Sequence, residues 1–423
     1  MKDFVYNAPT KVIFGRNKEN QAGQLIIEYF STYEKDTKPN VLIVLGGGSA
    51  VKSGLLERVS NSLKDFGIKF LSISGVVPNP RISLAREGIE LCKKHNINFL
   101  LAVGGGSVID TAKAIGYGVA NPEIDVWDIY SGKATAKGCT PIGCILTIAA
   151  AGSEMSNSSV MTNEDGWLKR GYNSEYSRCK FAILNPELTM TLPMYQTQSG
   201  AVDILMHTLE RYFAPERSFV KDNIASNGGI YGGPEGIAEL TDGLAESLMK
   251  VVIKNARKLM NEPNDYNARA EMMWASSLSH NGLTACGGTG DWSCHQMEHE
   301  LGGMFDVAHG AGLSALWGTW ARYVYADCPS RFAKFAVDVM GVEPVYENGT
   351  EDLMKTSLKG IEALEDFFRY IKMPTCIKDL GIEPTNEQIA QMALKCSFYH
   401  KRKVGGFHPL DASDMEKIYK AAL

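Results

Sequence analysis

The sequence predicts an α/β domain on a parallel sheet over residues 1–193, followed by an all-helical domain over residues 194–423. Two observations carry this reading. In the first half, apolar runs at 41–45, 69–73 and 98–103 alternate with helical patterns near 51–66 and 81–95, the βαβ signature of a parallel sheet. Beyond about residue 195, strand-type runs become scarce and amphipathic helical periodicity dominates. In order, strands are expected at 41–45, 69–73, 98–103, 144–148, 158–162 and 181–184, the last closed by Asn185-Pro186. Leu192-Pro193 then ends the segment, and helices are expected at 198–213, 236–260, 267–283, 308–326, 351–371, 386–398 and 413–422.

Glycine marks the first functional signal. Val41–Leu45 runs directly into Gly46-Gly47-Gly48-Ser49, and residues 98–103 run into Gly104-Gly105-Gly106-Ser107, followed by a helix-type pattern through Ile115. An apolar strand, a glycine turn and a helix start form the context in which backbone N–H groups cradle phosphate. Neither loop is GxGxxG or a Walker A loop, which needs Lys-Ser/Thr after its last glycine. A flexible linker could share this composition, but the abutting strands favour dinucleotide binding.

Histidine supplies the second. The chain has eight, and four (His280, His295, His299, His309) lie within one short segment. A fifth, His207, follows Asp203 by four residues, so on a helix both project from one face and can reach a single ion. His295 and His309 cannot do so from one straight helix. Their separation spans about 21 Å at helical rise, whereas two ligands of one metal sit about 3–4 Å apart. The chain must break between them, and Gly302-Gly303 is the expected place. The surrounding Trp292, Met297, Leu301, Met304 and Phe305 make an apolar setting for imidazoles. Spacing alone leaves both a mononuclear metal site and ordinary helix contacts open.

Whole-chain properties bound the remaining choices. At 423 residues, two or three domains with ample core are expected. A net charge of −5 argues against a nucleic-acid or anionic-membrane surface. The N-terminus lacks an apolar signal region, and the longest apolar stretch, 144–151, is far too short to span a bilayer. Nine cysteines without a CxxC pair read as reduced thiols in a cytoplasmic protein, Cys294 among them as a structural residue. The glycine-rich stretch 227–234 reads as an insertion or a lid, the insertion being favoured.

Together the glycine loops, Asp203…His207 and His295-x3-His299-x9-His309 resemble the iron-containing (group III) alcohol dehydrogenases. The likeness is greatest to the NADPH-dependent butanol dehydrogenase and broad-range aldehyde reductase branch. It runs from Phe14-Gly15, through Gly104–Asp110, to Gly405-Gly406-Phe407-His408-Pro409-Leu410. The resemblance implies a Rossmann-like dinucleotide-binding domain and a helical metal-binding domain, an architecture shared with dehydroquinate synthase. It implies Asp203, His207, His295 and His309 as metal ligands, with His299 beside the nicotinamide. Gly104–Ser107 would hold the pyrophosphate, supported by Asp110 and Lys113. Residues 147–154, including Thr147 and Ser153, would line the cofactor cleft, and Lys169 would contact the cofactor. Ala151 departs from the polar residue usual before Gly152, and residues 221–240 are longer and richer in glycine than the family usually shows. A homodimer is implied, and neither nucleic acid nor membrane is an expected partner.

Cofactor choice can be argued from the first loop. An acidic residue after an early strand accepts from the ribose 2′-hydroxyl and repels a 2′-phosphate. After Leu45 the chain offers Gly46, Gly47, Gly48, Ser49 and Lys52, with no acid before Glu57, so NADP(H) is expected over NAD(H). The alternative is that the adenosine lies elsewhere and this loop discriminates nothing. Three imidazoles and a carboxylate suit Fe(II) or Zn(II), and the resemblance tilts towards iron. The expected reaction is hydride transfer between NADP(H) and a primary alcohol or aldehyde of the butanol/butyraldehyde kind. A Lewis-acidic ion would polarise the carbonyl and His299 would relay the proton. A glycerol-dehydrogenase-like polyol oxidoreductase and a dehydroquinate-synthase-like lyase are the alternatives. A lyase taking phosphorylated substrates would be expected to place more basic residues around the ligands.

Overall fold

The computed structural model describes residues 2–219 and 238–423. Two compact units form, one from Ala8–Leu192 and one from the residues up to Asn7 together with Pro193–Leu423. The expected glycine-rich insertion at 227–234 lies outside the described residues.

In the first unit the strands are β1 (Lys11–Phe14), β2 (Asn40–Leu45), β3 (Lys69–Ile73), β4 (Phe99–Gly104), β5 (Ile142–Leu146), β6 (Ser158–Asn163), β7 (Leu168–Asn173) and β8 (Phe181–Leu184). Six of them form one parallel sheet in the order β1-β8-β5-β4-β2-β3. The inner strands are apolar because helices cover both faces of a parallel sheet; every residue of β4, β5 and β8 is buried. Edge strand β3 instead has only exposed and half-buried residues. Three expectations need correction. The strand expected at 144–148 is β5, two residues earlier, so Thr147 and Ile148 lie beyond its end. The strand expected at 158–162 is β6, which pairs antiparallel with β7 outside the main sheet. The helix expected over 51–66 forms as Ser49–Lys52 and Leu55–Asp65, separated at Gly54 (φ 71°).

The second unit is mostly helical and not all-helical as expected, since Tyr346–Glu347 and Thr350–Glu351 pair as a short antiparallel ribbon; it is built around Met194–Tyr212, nearly every residue of which is buried from Thr197 onward. Its neighbours include Glu239–Asn261, Tyr266–His280 and His309–Val324. An aromatic core of Phe213, Trp320, Phe332, Phe335 and Phe407 is fully or almost fully buried, with Phe213 and Phe332 stacked at 4.4 Å between centroids. Such rings supply both apolar area and oriented contacts. The helices His309–Val324 and Met194–Tyr212 approach closely at Gly310, where an added Cβ would lie 1.9 Å from the Ser199 carbonyl oxygen. That glycine brings the start of one helix against the turn preceding Asp203.

Candidate metal centre and glycine turns

Three helices of the second unit supply the histidine cluster. Asp203 and His207 lie one turn apart on Met194–Tyr212, and His295 and His299 one turn apart on Ser293–Phe305. His309 is the first residue of the next helix. The required break falls at Asp306–Ala308, not at Gly302-Gly303, which lie buried inside the helix. Asp306 adopts the left-handed conformation (φ 54°, ψ 33°) that ends the helix. Glycine within a helix costs only about 1 kcal/mol, which burial can outweigh.

The cluster centres on Asp203 Oδ1. His207 Nδ1 lies 3.0 Å from it, His295 Nε2 3.7 Å and His309 Nε2 3.7 Å. Ligand atoms of Asp203, His295 and His309 all lie within 4.8 Å of one another. His207 adjoins this trio without belonging to it: its Nδ1 is also 2.9 Å from the Asp203 backbone oxygen. Its ring centroid lies 4.4 Å from that of His295. His299 is buried, with its ring centroid 6.0 Å from that of His309.

A shell of carboxylates, which spacing did not single out, orients two of these imidazoles. Glu210 hydrogen-bonds His295 Nδ1, and Glu298 hydrogen-bonds His309 Nδ1. Such partners leave Nε2 available and raise ligand basicity. Glu210 Oε1 also accepts from the N–H groups of Cys294 (2.7 Å) and His295 (3.2 Å), so it secures the start of their helix. Within the described residues His295 Nε2 is buried without a hydrogen-bond partner, and the buried Asp203 Oδ1 has imidazole nitrogens around it in place of a well-formed hydrogen bond. Buried polar atoms normally have partners, and one cation shared by these two atoms, 3.7 Å apart, would satisfy both.

The charges fit a cation as well. Burial opposes ionisation of Asp203, yet His207, His309 and His295 together hold its carboxyl well below the usual range. Burial likewise disfavours protonated His295, but Glu210 and Asp203 outweigh it and raise its pKa to about 9. At His207 burial prevails over Asp203 and lowers the value to about 4. Asp203, Glu210 and Glu298 thus concentrate buried carboxylates around imidazole nitrogens, a donor set suited to a divalent first-row ion.

In the sheet unit the two glycine turns follow the carboxyl ends of β2 and β4, where ligands of open parallel sheets bind. Gly104, Gly105 and Gly106 connect β4 to the helix Gly106–Ala120, with Ser107 in its first turn. Added Cβ atoms would meet Val108 Cγ2 at 2.4 Å from Gly104 and Ile148 Cγ2 at 2.1 Å from Gly105. Space therefore dictates glycine at both positions. Gly46 ends β2's run, while Gly47 and Gly48 face open space and Ser49 begins a short helix. Thr147 follows β5, its N–H donating to the Gly104 carbonyl at 3.0 Å.

Asp110, Lys113 and Ser153 are interlocked. Asp110 accepts from Ser153 Oγ (2.5 Å) and from the Val160 N–H (2.9 Å). The buried Lys113 ammonium donates to the carbonyls of Ser153, Ser156 and Ser158 at 2.7–3.0 Å. These side chains hold the 153–158 loop and the start of β6 against the helix. Lys169 is buried on β7 opposite Thr162. All nine cysteines, including buried Cys294, carry free thiols. Among the described residues no helix is long and apolar enough to cross a membrane.

One chain thus carries a parallel sheet of the dinucleotide-binding type and a helical unit with a carboxylate–imidazole cluster of metal-ligand spacing. The chain matches the iron-containing alcohol dehydrogenase model over residues 9–186 and the C-terminal model of the Fe-containing alcohol dehydrogenase family over residues 236–423. It is 36% identical to NADH-dependent butanol dehydrogenase A of Clostridium acetobutylicum, covering 99% of both chains. To the NADPH-dependent aldehyde reductase YqhD of Escherichia coli it is 30% identical over the whole of both. The crystal structure of NADH-dependent butanol dehydrogenase A from Thermotoga maritima superposes with a TM-score of 0.88 at 34% identity, over 100% of this chain and 99% of that one. The chain belongs to the iron-containing alcohol dehydrogenase family and is an oxidoreductase. The family implies a nicotinamide cofactor and a metal; these relatives are named for both NADH and NADPH.

Proposed function

We propose that the protein transfers hydride between NADP(H) and a primary alcohol or aldehyde of the butanol/butyraldehyde kind. The observation carrying this reading is the buried Asp203 Oδ1 ringed by three imidazole nitrogens at 3.0–3.7 Å. Asp203, His295 and His309 would hold the ion, iron by preference and zinc as the alternative, with His207, one turn after Asp203, as the fourth ligand that the family resemblance implies. When bound, the ion supplies Lewis acidity to a carbonyl oxygen and the nicotinamide supplies or accepts hydride. Glu210 and Glu298 keep the imidazoles aimed. His299, buried with its ring centroid 6.0 Å from that of His309, moves the proton.

Gly104–Ser107 receives the pyrophosphate at the start of its helix. Asp110, Lys113 and Ser153 position the facing loop without needing to touch phosphate. Thr147 and Lys169 belong to the same cofactor region. Preference for NADP(H) is supported by the lack of a carboxylate in Gly46–Ser49 and by the open space at Gly47 and Gly48. The relatives' names, butanol dehydrogenase and aldehyde reductase, support the substrate class.

The test is NADPH oxidation with butyraldehyde by chelator-stripped protein, before and after anaerobic addition of Fe(II) or Zn(II), with NADH in parallel. Metal-restored turnover with a higher kcat/KM for NADPH is expected. Absence of turnover with butyraldehyde in the metal-loaded enzyme, or equal kcat/KM for NADH, overturns the substrate or the cofactor assignment respectively.

A further inference from the structure

The three imidazoles around Asp203 are braced differently. His295 and His309 each have a dedicated glutamate on Nδ1, whereas His207 Nδ1 lies 2.9 Å from the Asp203 backbone oxygen and 3.0 Å from Asp203 Oδ1, both on its own helix. What stands behind His207 is another imidazole. The ring of His280, the last residue of Tyr266–His280, meets the His207 ring edge-on with centroids 4.2 Å apart and an interplanar angle of 69°. His280 is itself pinned. Arg211 Nη2 lies 2.9 Å from His280 Nδ1, and a guanidinium only donates, so that nitrogen is the acceptor and the neutral ring carries its proton on Nε2.

Arg211 is fixed in turn. Its Nη1 donates to the carbonyls of His207 and Ser279, both at 2.8 Å, joining the end of one helix to the turn that carries His207. Its Cζ lies 4.6 Å from the centroid of the Trp292 ring, cation–π range. Trp292 holds φ 71°, rare for a bulky residue, and its Nε1 donates to the Thr289 carbonyl at 3.0 Å. Its ring centroid lies 5.5 Å from that of His295 and 6.2 Å from those of His207 and His280.

We infer that Arg211 and His280 are positioning residues for the metal centre, forming a brace that fixes the plane of the His207 imidazole where the other two imidazoles use carboxylates. The brace also sets a cation beside a cluster holding the carboxylates of Asp203, Glu210 and Glu298, and so limits the negative charge around the ion. This inference rests on the metal-centre reading above.

The test compares zinc affinity, by chelator competition, and the visible d–d spectrum of the cobalt(II)-loaded protein across three variants. His280→Phe keeps a ring but removes the acceptor; at least tenfold weaker zinc binding and an altered cobalt spectrum are expected, as for other residues that orient metal ligands. His280→Asn restores an acceptor near Nδ1 and should recover most of the affinity. Wild-type affinity and spectrum in His280→Phe, or no recovery in His280→Asn, overturn the brace. If His280→Phe does not fold, the smaller His280→Leu takes its place in the same comparison. His295→Ala separates the two ideas: undiminished zinc binding there refutes the metal centre itself, whereas its loss alongside an unaffected His280→Phe refutes only the brace.

Discussion

Glu210 does two jobs that substitution can separate. One oxygen engages His295 Nδ1, and the other accepts from two backbone N–H groups at the start of the same helix. Glu210→Gln keeps acceptor and shape but removes the charge, so metal affinity should fall about 10–100-fold with little change in melting temperature. Glu210→Ala also strands buried donors, at about 1–3 kcal/mol each, and should lower both affinity and stability. Metal titration and thermal melts on the two variants check this; equal melting temperatures would show that the cap contributes nothing. His299 calls for the opposite pattern. His299→Ala should retain the metal and lose about 10²–10⁴-fold in kcat, the usual span of general acid–base assistance, whereas metal loss would make it a ligand. Gly47 faces open space, so Gly47→Asp should fold normally. Its carboxylate would repel a 2′-phosphate and bind a 2′-hydroxyl, shifting the kcat/KM ratio at least tenfold towards NADH.

At the scale of elements, the turn after β4 is the most constrained piece of the sheet unit. Gly105→Ala would place a methyl 2.1 Å from Ile148 Cγ2, and overpacking of this kind costs about 1–3 kcal/mol. NADPH affinity should fall about tenfold or more while zinc affinity stays unchanged; calorimetry of both ligands checks it. This turn is legible in the sequence because an apolar run, three glycines and a helical pattern occur together, and the same clarity extends to β2 and to Met194–Tyr212. Other elements hide for physical reasons. β1 has four residues on a sheet edge, and β7 (Leu168-Lys169-Arg170-Gly171-Tyr172-Asn173) is too polar to read as a strand. The break before His309 follows from distance, but its place does not, because Asp306 takes the left-handed turn while the glycines stay helical. Glu298 stands three residues after His295 on one helix, but its partner His309 lies beyond the break, so the pairing cannot be read from the spacing. Glu210 does give a sign, three residues after His207 and seven after Asp203 on the same helical face.

Across the whole chain, two ligands are expected to stabilise the fold through separate residues. An ion bound only by the folded state adds RT ln(1 + [L]/Kd), about 2.7 kcal/mol at a hundredfold excess over Kd. For units of this size each kcal/mol moves the melting temperature by about 2–4 °C, so metal added to stripped protein should raise it by about 5–10 °C. The effect should be of this order because the ligands come from three helices, Met194–Tyr212, Ser293–Phe305 and His309–Val324, and no unfolded segment presents them together. NADPH should give its own rise through the turns of the sheet unit. His295→Ala should erase the metal-induced shift and leave the NADPH-induced one, and Gly105→Ala should leave the metal-induced shift and cut the NADPH-induced one to about half or less. Scanning calorimetry of wild type and both variants, each stripped, with zinc and with NADPH, decides the matter. A metal shift that survives His295→Ala would place the ion elsewhere. An NADPH shift that disappears with His295→Ala would mean that nucleotide binding requires the imidazole cluster, against the assignment of the phosphate contacts to Gly104–Ser107.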